Sequence, residues 1–312
     1  MLTQTQKLIA QAIVRLFETS TVRGDYSKVT VIPGDTGHVS YGVFQTTLGA
    51  GGLERLLKDY CSRPGARFAA QLGQYMPRVE QRDVGLDADA VFKNLLRACA
   101  DDLVMRDSQD AFFDAGYWIP ASRAADKLAV ETPLGSAVVF DGFVQGAFGI
   151  VQKLATAAVG EPAAVGERAW IAEYVKRRRN WLAGNKRLDL RPTAYRMEAF
   201  ERLIDQGYWD LPLPLVVRDR EISEQSLAEQ PPNCYSGPPP GSRALSLQTP
   251  LMRGLDVRLV QLALSQREFD VLADGIFGQT SQRVVARFQQ ASKLPPTGTV
   301  DAGLFSTLGL LG

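Results

Sequence analysis

Residues 17–45 read FETSTVRGDYSKVTVIPGDTGHVSYGVFQ, and the fold is decided by how this stretch is read. Just upstream lies QKLIAQAIVRLFE, in which Leu8, Ile9, Ala12, Ile13 and Phe17 recur at helical spacing. The helix is expected to stop near Glu18, where Thr19, Ser20 and Thr21 compete for backbone hydrogen bonds and Gly24 follows. Lys28–Ile32 then reads as a short strand, Pro33–Gly37 as a turn and Val39–Phe44 as a return strand. One carboxylate, Glu18, therefore stands at a helix end and a second, Asp35, in a Gly-flanked turn. A hairpin folded back beside the helix would set them across a cleft. Glycoside hydrolysis needs that pair: one acid to protonate the leaving oxygen, and one carboxylate to activate water or attack the sugar. The competing reading is a capped helix and a surface hairpin carrying two unrelated acids.

Beyond the hairpin, TTLGAGG (46–52) is a Gly-rich turn. It lacks the Gly-Lys-Ser/Thr and the βαβ context of a phosphate-binding loop, so it reads as backbone approaching sugar or the next helix. Helical patterns follow at about 53–62, 65–75, 88–103, 107–115, 119–129, 133–157, 165–182 and 193–207, punctuated by Gly and Pro. The expected fold class is mainly α, with one small β-hairpin sheet. His38 is the single histidine. No Ser/Cys–His–Asp set surrounds it, and it reads as a turn residue or sugar contact.

The stretch from Glu18 to Gln45 resembles the lysozyme superfamily, and specifically the chitosanases of glycoside hydrolase family 46. In that family a helix-terminal Glu is the general acid, an Asp in a Gly-Asp turn is the base, and a nearby hydroxyl holds the water. The resemblance puts Glu18, Asp35 and Ser40 in those roles. Ser-Tyr-Gly-Val-Phe-Gln also resembles the strand of lytic transglycosylases and goose-type lysozymes, which makes Tyr41 and Gln45 substrate-binding or supporting residues. Met105–Gln109 through Phe113-Asp114, Pro133–Ser136 through Phe140-Asp141-Gly142, Tyr174–Trp181 and Thr193–Arg196 through Trp209–Leu211 resemble further family helices in order. The implied fold is a lysozyme-like two-lobed α+β domain over residues 1–222. The resemblance further implies a charged network of Asp141, Arg178 and Arg196. An Asp on the apolar helix VVFDGFVQGAF would be costly to bury unless it met an Arg. The choice of Arg178 among Arg177–Arg179 is open.

Composition changes after Ile222. Residues 223–249 are rich in Pro, Gly and Ser without apolar periodicity and read as a partly extended linker. Residues 250–312 resemble the peptidoglycan-binding three-helix module, carried by Asp274-Gly275, Phe277-Gly278, Thr280, Phe288-Gln289 and Val300-Asp301. Such a linker is expected to leave the module as a tether that raises the enzyme's local concentration on an insoluble polymer.

The chain has 312 residues and a formal net charge of +1, which argues against nucleic acid or an acidic membrane surface as partner. Cys61, Cys99 and Cys234 are widely spaced and form neither a disulfide framework nor a metal set; no cofactor is implied. No signal peptide and no membrane-spanning run is visible. The expectation is synthesis in the bacterial cytoplasm and action on the wall after non-classical export, injection or lysis, with a secretion-system partner or immunity protein. Family 46 chitosanases often carry an Asp after the Gly-rich turn to meet the substrate's amine. Here that place is Gly52, and no carboxylate lies between Asp35 and Glu54. That departure and the C-terminal module favour an inverting, muramidase-type hydrolase of peptidoglycan. A chitosanase and a non-catalytic wall-binding protein are the alternatives.

Overall fold

The computed structural model describes residues 2–311. Helix α1 (Gln4–Thr19) leads into strands β1 (Val29–Thr30), β2 (Ser40–Tyr41) and β3 (Thr46–Thr47). Helices α2 (Gly52–Ser62), α3 (Ala69–Glu80), α4 (Ala90–Cys99) and α5 (Leu103–Phe113) follow. After a π turn at Asp114–Trp118 come α6 (Ile119–Lys127), α7 (Pro133–Val144) and α8 (Phe148–Val159). Next are α9 (Pro162–Val165), α10 (Glu167–Ala183) and α11 (Tyr195–Asp205), then the hairpin β4 (Leu215–Val217) and β5 (Arg220–Ile222), and α12 (Glu224–Ala228). The C-terminal part holds β6 (Met252–Arg253), α13 (Leu255–Ser265), β7 (Ile276–Phe277), α14 (Gln279–Ala291) and α15 (Ala302–Thr307). The chain is mainly helical with small antiparallel sheets, as the sequence pattern implies.

The chain divides into two compact units. The first joins the residues up to Gly24 with Phe112–Glu229; the second joins Asp25–Ala111 with the residues from Gln230 onward.

In the first unit α7 is the central element. Its sequence PLGSAVVFDGFV is apolar on nearly every side, and residues from Pro133 to Gly142 are buried, apart from Ser136. A helix apolar all round belongs inside. It packs on α1 and α6, while α10 packs on α8 and α11. Thr132 caps it by accepting from the Gly135 N–H (3.1 Å). The single helix expected over 133–157 is two. The break falls where Gly146 and Ala147 take left-handed backbone, with φ of 87° and 65°. There the Gly146 carbonyl accepts from Arg178 Nη1 at 3.0 Å, so a buried cation captures a backbone group at the helix break.

In the second unit β2 is the middle strand, pairing Thr30↔Ser40 with β1 and Ser40↔Thr47 with β3. The observed strands are shorter than the expected ones because Gly42 turns the chain at once. Gly42 has φ of 81°, and a Cβ there would stand 2.2 Å from Gln109 Oε1. The C-terminal helices α13–α15 enclose a core of Val257, Leu264, Phe277, Val285, Phe288 and Phe305, and β6 pairs with β7.

The segment between Gln230 and Pro250 has little regular structure, yet it is fastened rather than free. Tyr235 N–H donates to Asp101 Oδ1 (2.7 Å), Asn233 Nδ2 to Asp25 Oδ2 (2.9 Å), and Leu245 exchanges backbone hydrogen bonds with Val300. The module itself is docked in the same unit. Arg258 on α13, 1% exposed, donates through Nη1 to the Arg97 carbonyl (2.8 Å) and Asp101 Oδ1 (3.0 Å), and through Nη2 to the Asn233 and Asp274 carbonyls. Asn94 on α4 donates to Ser265 Oγ and the Val271 carbonyl and accepts from the Ala273 N–H. This polar contact replaces the free tether expected from composition.

Removing one partner of a buried ion pair leaves an uncompensated charge. Asp101→Ala should therefore cost about 3–5 kcal/mol in urea unfolding, while the paired change Asp101→Leu with Arg258→Met should recover much of that loss.

Candidate active site

The two candidate carboxylates lie on different units, so each half is built separately. In the first unit Glu18 sits in the last turn of α1, with its side chain 42% exposed. The helix end is held by partners for its terminal carbonyls. Tyr195 Oη donates to the Phe17 carbonyl (2.9 Å), Arg218 Nη1 to the Leu16 carbonyl (3.0 Å), and Ser20, left-handed, closes the cap onto Leu16. Arg196 on α11 reaches Glu18 Oε1 with Nη1 at 2.6 Å. The same guanidinium donates through Nε (2.9 Å) and Nη2 to Asp141 Oδ1 on α7. Burial alone would lower the Arg196 pKa, but Asp141 and Glu18 together raise it. The Arg196 cation also lies over the Phe17 ring, 5.0 Å from its centroid.

Arg178 completes the cluster. Its side chain and that of Asp141 are fully buried, and Nε stands 3.8 Å from Asp141 Oδ2. Its Nη2 donates to Gln145 Oε1 (2.8 Å), and Gln145 Nε2 donates to Thr193 Oγ1. Arg177 and Arg179 turn instead to Glu173 and Glu201. The structure thus brings Glu18, Arg196, Asp141 and Arg178 into one continuous network, and burial separates Arg178 from its neighbours. Tyr174 lies beside it, and burial pushes its phenol up to about 12.

In the second unit Asp35 is exposed in the turn between β1 and β2. Its N–H donates to the Ile32 carbonyl (3.1 Å). The carboxylate lies against Gly37, where a Cβ would stand 2.9 Å from Asp35 Oδ2. Gly49 is the other close approach. A Cβ there would meet the Thr36 carbonyl at 2.1 Å, and its N–H donates to the Gly37 carbonyl at 3.0 Å. The Gly-rich turn therefore meets the turn that carries Asp35. Ser40 begins β2, and its Oγ donates to the His38 carbonyl (3.2 Å). Tyr41 is fully buried and Gln45 Nε2 donates to the Gly42 and Lys28 carbonyls, so both support the hairpin. Burial lifts the Tyr41 phenol well above its ordinary range.

Two residues outside the expected set hold this half. Gln109 on α5 accepts from the Val43 N–H (3.1 Å) through Oε1 and donates through Nε2 to the Tyr26 carbonyl (3.1 Å). It lies in a motif the sequence singles out, but one that discloses no role. Asp87 meets His38 across 49 residues of sequence, with Nδ1 to Oδ2 at 2.9 Å, and no local signal points to it. Among the described residues, no group of three or more His, Cys, Asp or Glu side chains is placed to hold a metal ion.

The model of glycosyl hydrolase family 46 matches residues 12–215, and that of a putative peptidoglycan binding domain matches residues 253–308. No curated protein matches the chain. Among solved structures, the family 46 chitosanase of Gynuella sunshinyii in complex with chitotetraose is similar at 24% identity and a TM-score of 0.58, covering 71% of this chain and 98% of that one. A mutant chitosanase of Bacillus subtilis MY002 complexed with six GlcN units is similar at 21% identity and a TM-score of 0.57, covering 71% and 96%.

Arg196→Met would leave Asp141 buried without its hydrogen-bonded cation. It should cost about 3–5 kcal/mol in chemical unfolding, and turnover should fall with it because Glu18 loses its only charged partner among the described residues. Asp141→Asn, which retains an acceptor, should cost less on both counts.

Proposed function

The chain belongs to glycosyl hydrolase family 46, and we propose that it hydrolyses the β-1,4 bonds of a glucosamine polymer of chitosan type by a single inverting displacement. Glu18 gives its proton to the leaving oxygen as the glycosidic bond breaks. Asp35 takes a proton from a water that attacks the anomeric carbon from the opposite face, and Ser40 helps hold that water. The observation that carries this reading is the Glu18–Arg196–Asp141–Arg178 network, formed by the residues that the family resemblance names and lying within the matched region. Family membership and the solved chitosanases that carry glucosamine oligomers support chitosan over the wall glycan that the sequence favoured.

A second reading, peptidoglycan, is supported by two observations. One is the peptidoglycan-binding domain at 253–308. The other is the absence of a carboxylate at Gly52: Glu54, the next available, is engaged by Lys58 at 2.8 Å in the first turn of α2. The substrates are separated by incubating the protein with chitosan and with purified sacculi and identifying soluble products by mass spectrometry. Glucosamine oligomers from chitosan are expected. Muropeptide release without chitosan products would transfer the substrate to the wall. In the same assays Glu18→Gln should remove nearly all turnover, and Asp35→Asn should lower it by about 10²–10⁴-fold. Near-normal rates in either variant would contradict its assignment.

A further inference from the structure

We infer that His38 and Asp87 form a latch that positions Asp35, making His38 a positioning residue for the hydrolysis. The inference rests on the reading of Asp35 as base. The turn from Val31 to Val39 is exposed along most of its length. Its internal hydrogen bonds are few: Asp35 N–H to the Ile32 carbonyl, and a long one of 3.5 Å from His38 N–H to the Asp35 carbonyl. On the far side, only the backbone of Gly37 and Val39 is gripped, by Gly49 and Leu48. Among the described residues of the turn, the His38 imidazole is the one side chain that hydrogen-bonds outside the hairpin, with Nδ1 2.9 Å from Asp87 Oδ2. A free turn of this kind samples many positions, and a base displaced by an ångström loses much of its rate.

The far end of the latch is rigid. Asp87 ends the 3₁₀ turn Val84–Asp87, whose Leu86 is fully buried. Arg78 on α3 clamps both flanks of that turn, through Nε to Asp83 Oδ2 and Nη1 to Asp89 Oδ2, each at 2.7 Å. Asp83 caps the 3₁₀ turn through the Gly85 N–H, Asp89 caps α4 through the Phe92 N–H, and Lys93 Nζ holds the Asp87 carbonyl at 2.6 Å. His38 is itself left-handed, with φ of 55°. That conformation aims its side chain out of the hairpin while its carbonyl accepts from Ser40 Oγ. One residue thus links the anchored 3₁₀ turn both to the base three positions before it and to the water-holding hydroxyl two positions after it.

The test is a double-mutant cycle in the full chain, read on whichever polymer the wild type cleaves. Asn tolerates the left-handed backbone, so His38→Asn removes the latch with little strain. His38→Asn and Asp87→Ala should each lower kcat by about 10- to 100-fold, with KM and Tm close to those of the wild type. The double variant should be no worse than the poorer single one, as expected for two ends of one contact. Asp87→Asn keeps an acceptor for the imidazole and should recover most of the rate. The inference is overturned if kcat stays within twofold in His38→Asn, if the two losses multiply, or if KM and Tm fall together with kcat. Full activity in Asp35→Asn would remove the base, and the latch with it. An inactive Asp35→Asn beside a normal His38→Asn would remove the latch alone.

Discussion

The Arg196 guanidinium holds two carboxylates at once, Asp141 inside α7 and Glu18 at the end of α1. An ionised Asp in the middle of an apolar helix would cost several kcal/mol if left alone. Asp141 persists because Arg196 hydrogen-bonds it and Arg178 lies alongside. The arrangement joins α1, α7, α10 and α11 at one point. It therefore ties the exposed Glu18 carboxyl, the candidate acid, to the buried helix α7. A buried pair of this kind is poor support for net stability, since desolvation offsets much of the attraction. Its contribution is geometric: one guanidinium bridges Glu18 and Asp141.

The candidate base is held by different means. Among the described residues Asp35 has no buried counter-ion, and its turn owes its place to backbone approach and to long-range side chains. Gly42 admits Gln109, Gly49 admits the Thr36 carbonyl, and His38 reaches Asp87. A carboxylate that must take a proton from water suits an exposed setting. A carboxyl that must be aimed at a leaving oxygen suits a fixed one.

Much of this was legible in the sequence where the cause is local. The apolar spacing of α1, the threonines that end it and the Gly-flanked turn around Asp35 all act within a few residues. The Asp on an apolar helix announces a need for Arg, and the Asp274-Gly275 turn announces the three-helix module. Remote causes were not legible. Arg258 reads as an ordinary charge on an amphipathic helix, yet it is buried because carbonyls of Arg97, Asn233 and Asp274 converge on it. The composition of 223–249 describes a loose segment, whereas the partners of Asn233, Tyr235 and Leu245 lie far away in sequence. At the helix break the Gly146 carbonyl is met by Arg178, which is supplied from α10. The module belongs to the same compact unit as the turn that carries Asp35 and is fastened there through Arg258 and Asn94.

The central claim is that Glu18 and Asp35 work as acid and base on opposite faces of one sugar, without a covalent intermediate. The stereochemistry of the first products tests this most directly. Proton NMR of the reducing ends, recorded in early turnover before mutarotation, should show α-anomers appearing first from a β-linked polymer. Initial β-anomers would mean retention, would require a carboxylate nucleophile, and would contradict the account.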